Sequence, residues 1–113
     1  VADELGINVA NTVNYAQYAI AEHAVALAFA LDRKIHNAYV RTHEGDFELT
    51  GLMGEEMNGR TLGIVGAGNV GRTLAKFMAP MGMRVIYSDL YTMTGMKAMG
   101  AERVPFEQLL AEA

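Results

Sequence analysis

Two kinds of hydrophobic periodicity divide the chain. From Asn14 to Thr42 the sequence is rich in alanine and holds no glycine or proline, which predicts one long helix over residues 14–42. Its first half, including "AVALAFAL" at 24–31, is apolar nearly all round and is expected to be buried. The second half, "DRKIHNAYVRTHE", gathers Ile35, Ala38 and Tyr39 on one stripe and half-faces water. Ahead of the helix, "VADELGINVA" reads as a helix end stopped at Gly6 and a short strand over 7–10, with Asn11 or Thr12 as the helix cap. Behind it, "GDFELTGLMGEEMNG" at 45–59 combines four glycines with alternating Phe47, Leu49 and Leu52, which predicts an extended arm or loop. Apolar side chains exposed on such an arm would mark a partner surface.

After residue 59 the period changes. Short β-branched runs now alternate with helical ones: "RTLGIVG" reads as a strand buried on both faces, "NVGRTLAKFMAPMG" as a helix ended near Pro80 and Gly82, and "MRVIYSD" as a second buried strand. That is a βαβ unit, with parallel strands over 61–66 and 83–88 and a right-handed crossover helix over 69–80. A weak helix "TGMKAMG", a short strand "ERV" and a helix "PFEQLLAEA" follow. Sheets of this type have five or six strands, so the few read here should leave one sheet edge unpaired and open to a partner chain.

Composition narrows the function classes. At 113 residues, 51% of them hydrophobic and 19% charged, the chain has the profile of one soluble globular domain with a single core. A net charge of −4 with nine scattered Lys and Arg residues argues against nucleic acid, whose affinity rests on neutralised phosphates. The absence of cysteine excludes disulfides and thiolate metal sites and fits a reducing cytoplasm. The run at 24–31 is far shorter than the about 20 apolar residues a bilayer requires, so no membrane partner is expected. The acidic "VADELGINVANT" has no basic flank before an apolar run and is not a secretory signal.

The candidate chemistry lies where the first βαβ strand turns into its helix. Gly66, Gly68 and Gly71 have the G-x-G-x-x-G spacing: the first for a tight turn, the second for close approach of backbone to a pyrophosphate, the third for helix-on-strand packing. The helix N-terminus, at Asn69 and Val70, would present free N–H groups and partial positive charge to the phosphates. With 12 glycines in the chain this spacing arises by chance often enough that a plain structural turn competes with it. Asp89, at the end of the second strand, favours the dinucleotide, because a carboxylate there can accept from both ribose hydroxyls of an adenosine; a capping or solvated carboxylate is the competing reading. The same carboxylate would repel a 2′-phosphate, and "LYTMTGM" offers no cation before Lys97, so NAD is favoured over NADP. The expected fold class is α/β, a partial doubly wound (Rossmann) parallel sheet with a long N-terminal helix.

Other polar residues carry less. His23 sits on an apolar helix, where a buried, hydrogen-bonded imidazole is the simpler reading, and His36 and His43 have no third ligand at metal spacing and read as surface or interface residues. The acids Glu44, Asp46, Glu48, Glu55 and Glu56 read as a solvated loop, and the eight methionines as core filling. No metal site is expected.

The segments "NVANT", "AEHAVALAFALDRKIHNAYVRT", "GDFELTGLMGEEMNGRTLGIVGAGNVGR" and "GMRVIYSDLY" together resemble the D-isomer-specific 2-hydroxyacid dehydrogenase family over nearly all 113 residues. "RKIHNAYVRT" with F-x-L-x-G-L-x-G is most similar to its D-lactate dehydrogenase branch. The resemblance implies a tail of substrate domain and linker at 1–12 and the N-terminal half of an NAD-binding domain at 13–113. It further implies a homodimer joined through the long helix and the 45–59 arm, a 2-keto acid or D-2-hydroxy acid as substrate, and NAD contacts from Asn69, Val70 and Asp89. The family's catalytic histidine, arginine and glutamate align beyond Ala113, so no catalytic residue is carried over and the 113 residues alone are expected to be inactive. Pro105 stands where the family has Ser or Asp before the last helix. The competing reading is a non-catalytic dinucleotide-binding or dimerisation module, such as an engineered half-Rossmann unit.

Overall fold

In the computed structural model, which describes residues 1–113, the second half of the chain builds a three-stranded parallel sheet. Strand β1 (Thr61–Val65) leads into helix α3 (Asn69–Met78), preceded in the chain by α1 (Gln17–Asp32) and α2 (Ile35–His43). Then come β2 (Arg84–Ser88), β3 (Glu102–Arg103) and α4 (Phe106–Glu112). The strand order is β1-β2-β3, with Thr61 opposite Arg84, Val65 opposite Ser88 and Tyr87 opposite Arg103.

Alternation along β2 sends its side chains to two cores. Val85 and Tyr87 join Ile64, Ala67, Ala75, Met96 and Ala101 on the α3 face, while Ile86 packs with Val104 and Leu109 beneath α4. Gly63 lets α4 approach β1, since a Cβ there would stand 2.6 Å from the Cβ of Ala113 and 3.1 Å from Leu109. Helix α3 buries Gly71, Thr73, Ala75 and Met78; a 3-10 turn through Pro80 then ends at Gly82, as its sequence anticipates.

Several expectations are corrected. The single helix over 14–42 is two helices, because Lys34 adopts a left-handed φ of 51° between them. The arm packs at that joint: the Glu55 amide donates to the Asp32 carboxylate at 3.1 Å, and a Cβ on Gly54 would stand 2.3 Å from the Asp32 carbonyl. An acidic residue is also unfavourable at a helix C-terminus, so the break falls where both effects meet. No strand forms at 7–10, since no neighbouring strand is there to pair with it. The cap of α1 is Ala16 in a left-handed conformation, not Asn11 or Thr12. Gly6 does stop a 3-10 turn at Asp3–Leu5. The "TGMKAMG" segment is reduced to one 3-10 turn, Lys97–Met99.

Burial of α1 is also less than its composition suggests. It rests one side on α3, where the Tyr18 and Phe77 rings lie 6.4 Å apart, and buries Ala21 fully. The other sides stay open, with Leu31 67% exposed and His23 at the surface without a hydrogen-bond partner, not buried as expected. β1 is packed on both faces, by the α3-side core at Ile64 and by α4 at Gly63, but most of its residues are only partly buried because its outer edge carries no strand. The 45–59 arm is loop throughout, tied back by Arg41, whose guanidinium donates to the carbonyls of Thr50 at 2.7 Å and Glu48 at 3.3 Å.

Arg84 fastens α4 to the sheet by donating to Glu112 at 2.5 Å and Glu102 at 3.0 Å. The Arg84 bond, reinforced by Gln108, holds the Glu112 carboxyl below its ordinary range. A depressed folded pKa contributes stability that is present above the unfolded carboxylate range and lost as pH falls through the folded value. Glu112→Gln should therefore lower the thermal unfolding midpoint at pH 7, with a deficit that shrinks on acidification; circular dichroism melts at pH 7, 4 and 3 test this. An equal deficit at all three pH values would mean that the ion pair contributes nothing to the pH dependence.

Candidate functional site

The turn between β1 and α3 uses its three glycines for three different purposes. Gly66 has a φ of +86°, a region L side chains rarely adopt. Gly71 brings helix onto strand: a Cβ there would lie 2.4 Å from the Gly66 carbonyl oxygen and 3.1 Å from Ile64. Gly68 has a φ of −67°, and a Cβ on it would meet nothing within 4 Å. Neither conformation nor packing within the chain calls for a glycine at 68; what the missing side chain leaves is open space in front of the backbone.

That space faces a helix start. The first bond into α3 runs from the Arg72 amide to the Gly68 carbonyl at 2.9 Å, and the amides of Asn69, Val70 and Gly71 have no acceptor within the chain. Unpaired amides beside an open backbone suit an anionic phosphate group. The Asn69 side chain is turned aside: its Nδ2 donates to Asn14 at 2.6 Å and its Oδ1 accepts from Arg72 at 2.5 Å, leaving its main chain at the turn.

Asp89 follows β2 and reaches back to the same turn. Its Oδ2 accepts from the Ala67 amide at 2.8 Å and its Oδ1 from the Tyr91 amide at 3.0 Å. The Tyr91 bond, then the Ala67 bond, holds the carboxyl below its usual range against the opposing effect of partial burial, so it is ionised at neutral pH. Each carboxylate oxygen keeps a further acceptor position for a hydroxyl donor. The chain thus gathers Gly66, Gly68, Asn69, Val70 and Gly71 in one turn, to which Asp89 is joined through the Ala67 amide. Two adjoining grooves of about 480 and 420 Å³ share Ser88, Asp89 and Phe106 and reach Gly66 and Val65 at the C-terminal ends of the strands. That is where open α/β sheets take their ligands.

One neighbour was invisible to motif reading. Linear sequence puts the nearest cation after Asp89 at Lys97, but the pairing of β3 with β2 carries Arg103 to the site. Its guanidinium donates to the Asp89 carbonyl at 2.8 Å, the Leu90 carbonyl at 3.4 Å and the Thr92 hydroxyl at 3.1 Å. The short "ERV" strand was the only sequence signal that could have placed it there. Pro105 caps α4 without a side-chain hydrogen bond.

Parallel strands, a glycine turn at a helix start and an acid at the tip of the second strand define a Rossmann-type dinucleotide-binding domain. Residues 25–113 match the family described as D-isomer specific 2-hydroxyacid dehydrogenase, NAD binding domain, and the chain belongs to that family. The D-lactate dehydrogenase of Escherichia coli K12 is 37% identical over 112 residues, covering 99% of this chain and 34% of that protein. The apo structure of D-lactate dehydrogenase from Escherichia coli superposes with a TM-score of 0.90 at 37% identity, over 99% of this chain and 35% of that one. The D-lactate dehydrogenase from Aquifex aeolicus, complexed with NAD and lactic acid, gives 0.91 at 26% identity, over 99% and 34%. The chain spans about a third of the length of the curated relatives it matches.

The glycine geometry separates packing from ligand access in a stability measurement. Gly71→Ala should destabilise the fold by roughly 1–3 kcal/mol, the usual cost of overpacking a close backbone contact. Gly68→Ala should cost less, at most about 1 kcal/mol, since its φ is compatible and its space open and only the N-cap preference of glycine over alanine is lost. Urea unfolding curves of the two variants compare them directly; equal losses would contradict the separate assignments.

Proposed function

We propose that this chain is the cofactor-binding part of an NAD-dependent oxidoreductase that interconverts 2-keto acids and D-2-hydroxy acids, with pyruvate and D-lactate the first pair to assay. The observation that carries this reading is the open backbone at Gly68 beside three unpaired amides, with the Asp89 carboxylate bonded to the same turn at Ala67. Gly66, Gly68, Asn69, Val70 and Gly71 would hold the pyrophosphate and Asp89 the adenosine ribose. NAD, when bound, supplies the hydride acceptor or donor. What these residues contribute is orientation: they fix the adenosine end and direct the remainder of the cofactor across the C-terminal end of the sheet.

The catalytic histidine and the carboxylate-binding arginine of this chemistry have no counterpart among these residues, so the 113 residues alone bind without turnover. Residues 1–12 belong, in this reading, to the tail of a substrate domain and its linker, and 13–113 to the first half of the NAD domain. A homodimer would cover the apolar surface of α1, α2 and the arm, where Tyr39 is 62%, Phe47 76% and Leu49 81% exposed. A cytoplasmic location accords with a chain without cysteine, none of whose helices is long and apolar enough to cross a membrane.

The carboxylate gives the sharpest test. In the full-length protein, Asp89→Ser should weaken NAD by about tenfold or more, as expected for lost charge-assisted hydrogen bonds, while NADP weakens less or improves. Titration calorimetry with both cofactors at two salt concentrations measures the ratio. An unchanged NAD affinity would remove Asp89 from the site.

A further inference from the structure

The loop that follows β2 is held by polar contacts alone. Leu90 is 89% exposed and Tyr91 72%, so no apolar burial fixes residues 89–92. The loop's own hydrogen bond, from the Tyr91 amide to Asp89 Oδ1, orients the carboxylate relative to the loop but does not anchor the loop to the sheet. Arg103 supplies that anchor. Its strand position is opposite Tyr87, and its guanidinium reaches forward to the Asp89 and Leu90 carbonyls and the Thr92 hydroxyl.

We propose that Arg103 is a positioning residue for the cofactor ribose: it clamps the Asp89–Thr92 loop onto β3 and thereby sets where the Asp89 carboxylate stands. The inference rests on the NAD-binding reading above. Its bonds go to carbonyl and hydroxyl oxygens and not to the carboxylate, so the clamp leaves the Asp89 lone pairs for the ligand instead of consuming them in an ion pair. The rigid fork of the guanidinium serves acceptors on both of its nitrogens at once, which the single ammonium of lysine cannot reproduce. On the far side the carboxylate is tied to the glycine turn through Ala67. The chain of contacts therefore runs Arg103, the Asp89 main chain, the Asp89 carboxylate, the Ala67 amide, and joins the ribose subsite to the pyrophosphate subsite.

A double-mutant cycle on NAD binding tests the idea in the full-length protein, because a residue that acts through Asp89 should have nothing left to do once the carboxylate is gone. By titration calorimetry, Arg103→Met should weaken NAD about tenfold and Arg103→Lys by less, since lysine keeps the charge and one bond. Asp89→Ser combined with Arg103→Met should bind no more weakly than Asp89→Ser alone. Amide hydrogen exchange at Ala67 and Tyr91 should accelerate in Arg103→Met while the β1 and β2 amides keep their protection. Wild-type NAD affinity in Arg103→Met overturns the proposal. So does a double variant whose loss is the product of the two single losses, which would mark Arg103 as a support of the fold independent of Asp89. If the wild-type protein takes up no NAD, the NAD-binding reading itself fails and takes this inference with it; if Asp89→Ser behaves as expected and Arg103→Met does not, only Arg103 is withdrawn.

Discussion

The ligand end of this molecule depends on β1 and α3 meeting backbone to backbone. With no side chain on Gly71, the first turn of α3 lies against the Gly66 carbonyl, at a separation where any Cβ would stand 2.4 Å from the oxygen. That approach aims the free amides of Asn69, Val70 and Gly71 into the opening in front of Gly68. A helix displaced outward by a single methyl group would carry those amides with it. Magnitudes indicate why their direction matters more than the helix field. A hydrogen bond to a charged group contributes about 1.5–3 kcal/mol, against about 0.3–1 kcal/mol for an ion near an exposed helix terminus.

The second constraint is the register of the parallel sheet. Pairing of β1 with β2 sets Val65 opposite Ser88, and the Gly66 amide continues the ladder to the Ser88 carbonyl at 2.9 Å, so the acid after β2 falls beside the glycine turn. Pairing of β2 with β3 then delivers Arg103 to the loop beyond Asp89. Both proposed subsites are thus products of strand alignment, and a one-residue slip of either strand would separate them. The outer side of β1 has no neighbour in this chain. In doubly wound sheets the second half continues from that side, which accords with a chain spanning about a third of its relatives.

What could be read from sequence was whatever is local. The change from helical to β-branched periodicity at residue 60, the glycine spacing and the acid after "RVIYS" each depend on residues close along the chain, and the parallel βαβ unit appears where they place it. What could not be read was decided by contacts between distant segments. The helix break at Lys34 coincides with the arm packing on Asp32, some twenty residues away, and alanine-rich propensity carries no trace of it. Arg103 is invisible to any motif because only the β2–β3 pairing brings it to Asp89. The apolar girth of α1 suggests burial all round, yet the chain covers only one side of it. The strand expected at 7–10 fails for the related reason that strand propensity without a partner forms no ladder.

In the proposed function, the main chain at the start of α3 holds the cofactor's pyrophosphate. The most direct measurement is a titration of isotope-labelled protein with NAD, followed through the backbone amide resonances. The amides of Gly68, Asn69, Val70 and Gly71 should shift most and saturate together with those of Leu90 and Tyr91 beside Asp89. Shifts confined to α1, α2 and the arm, with the α3 amides unmoved at saturation, would contradict that role.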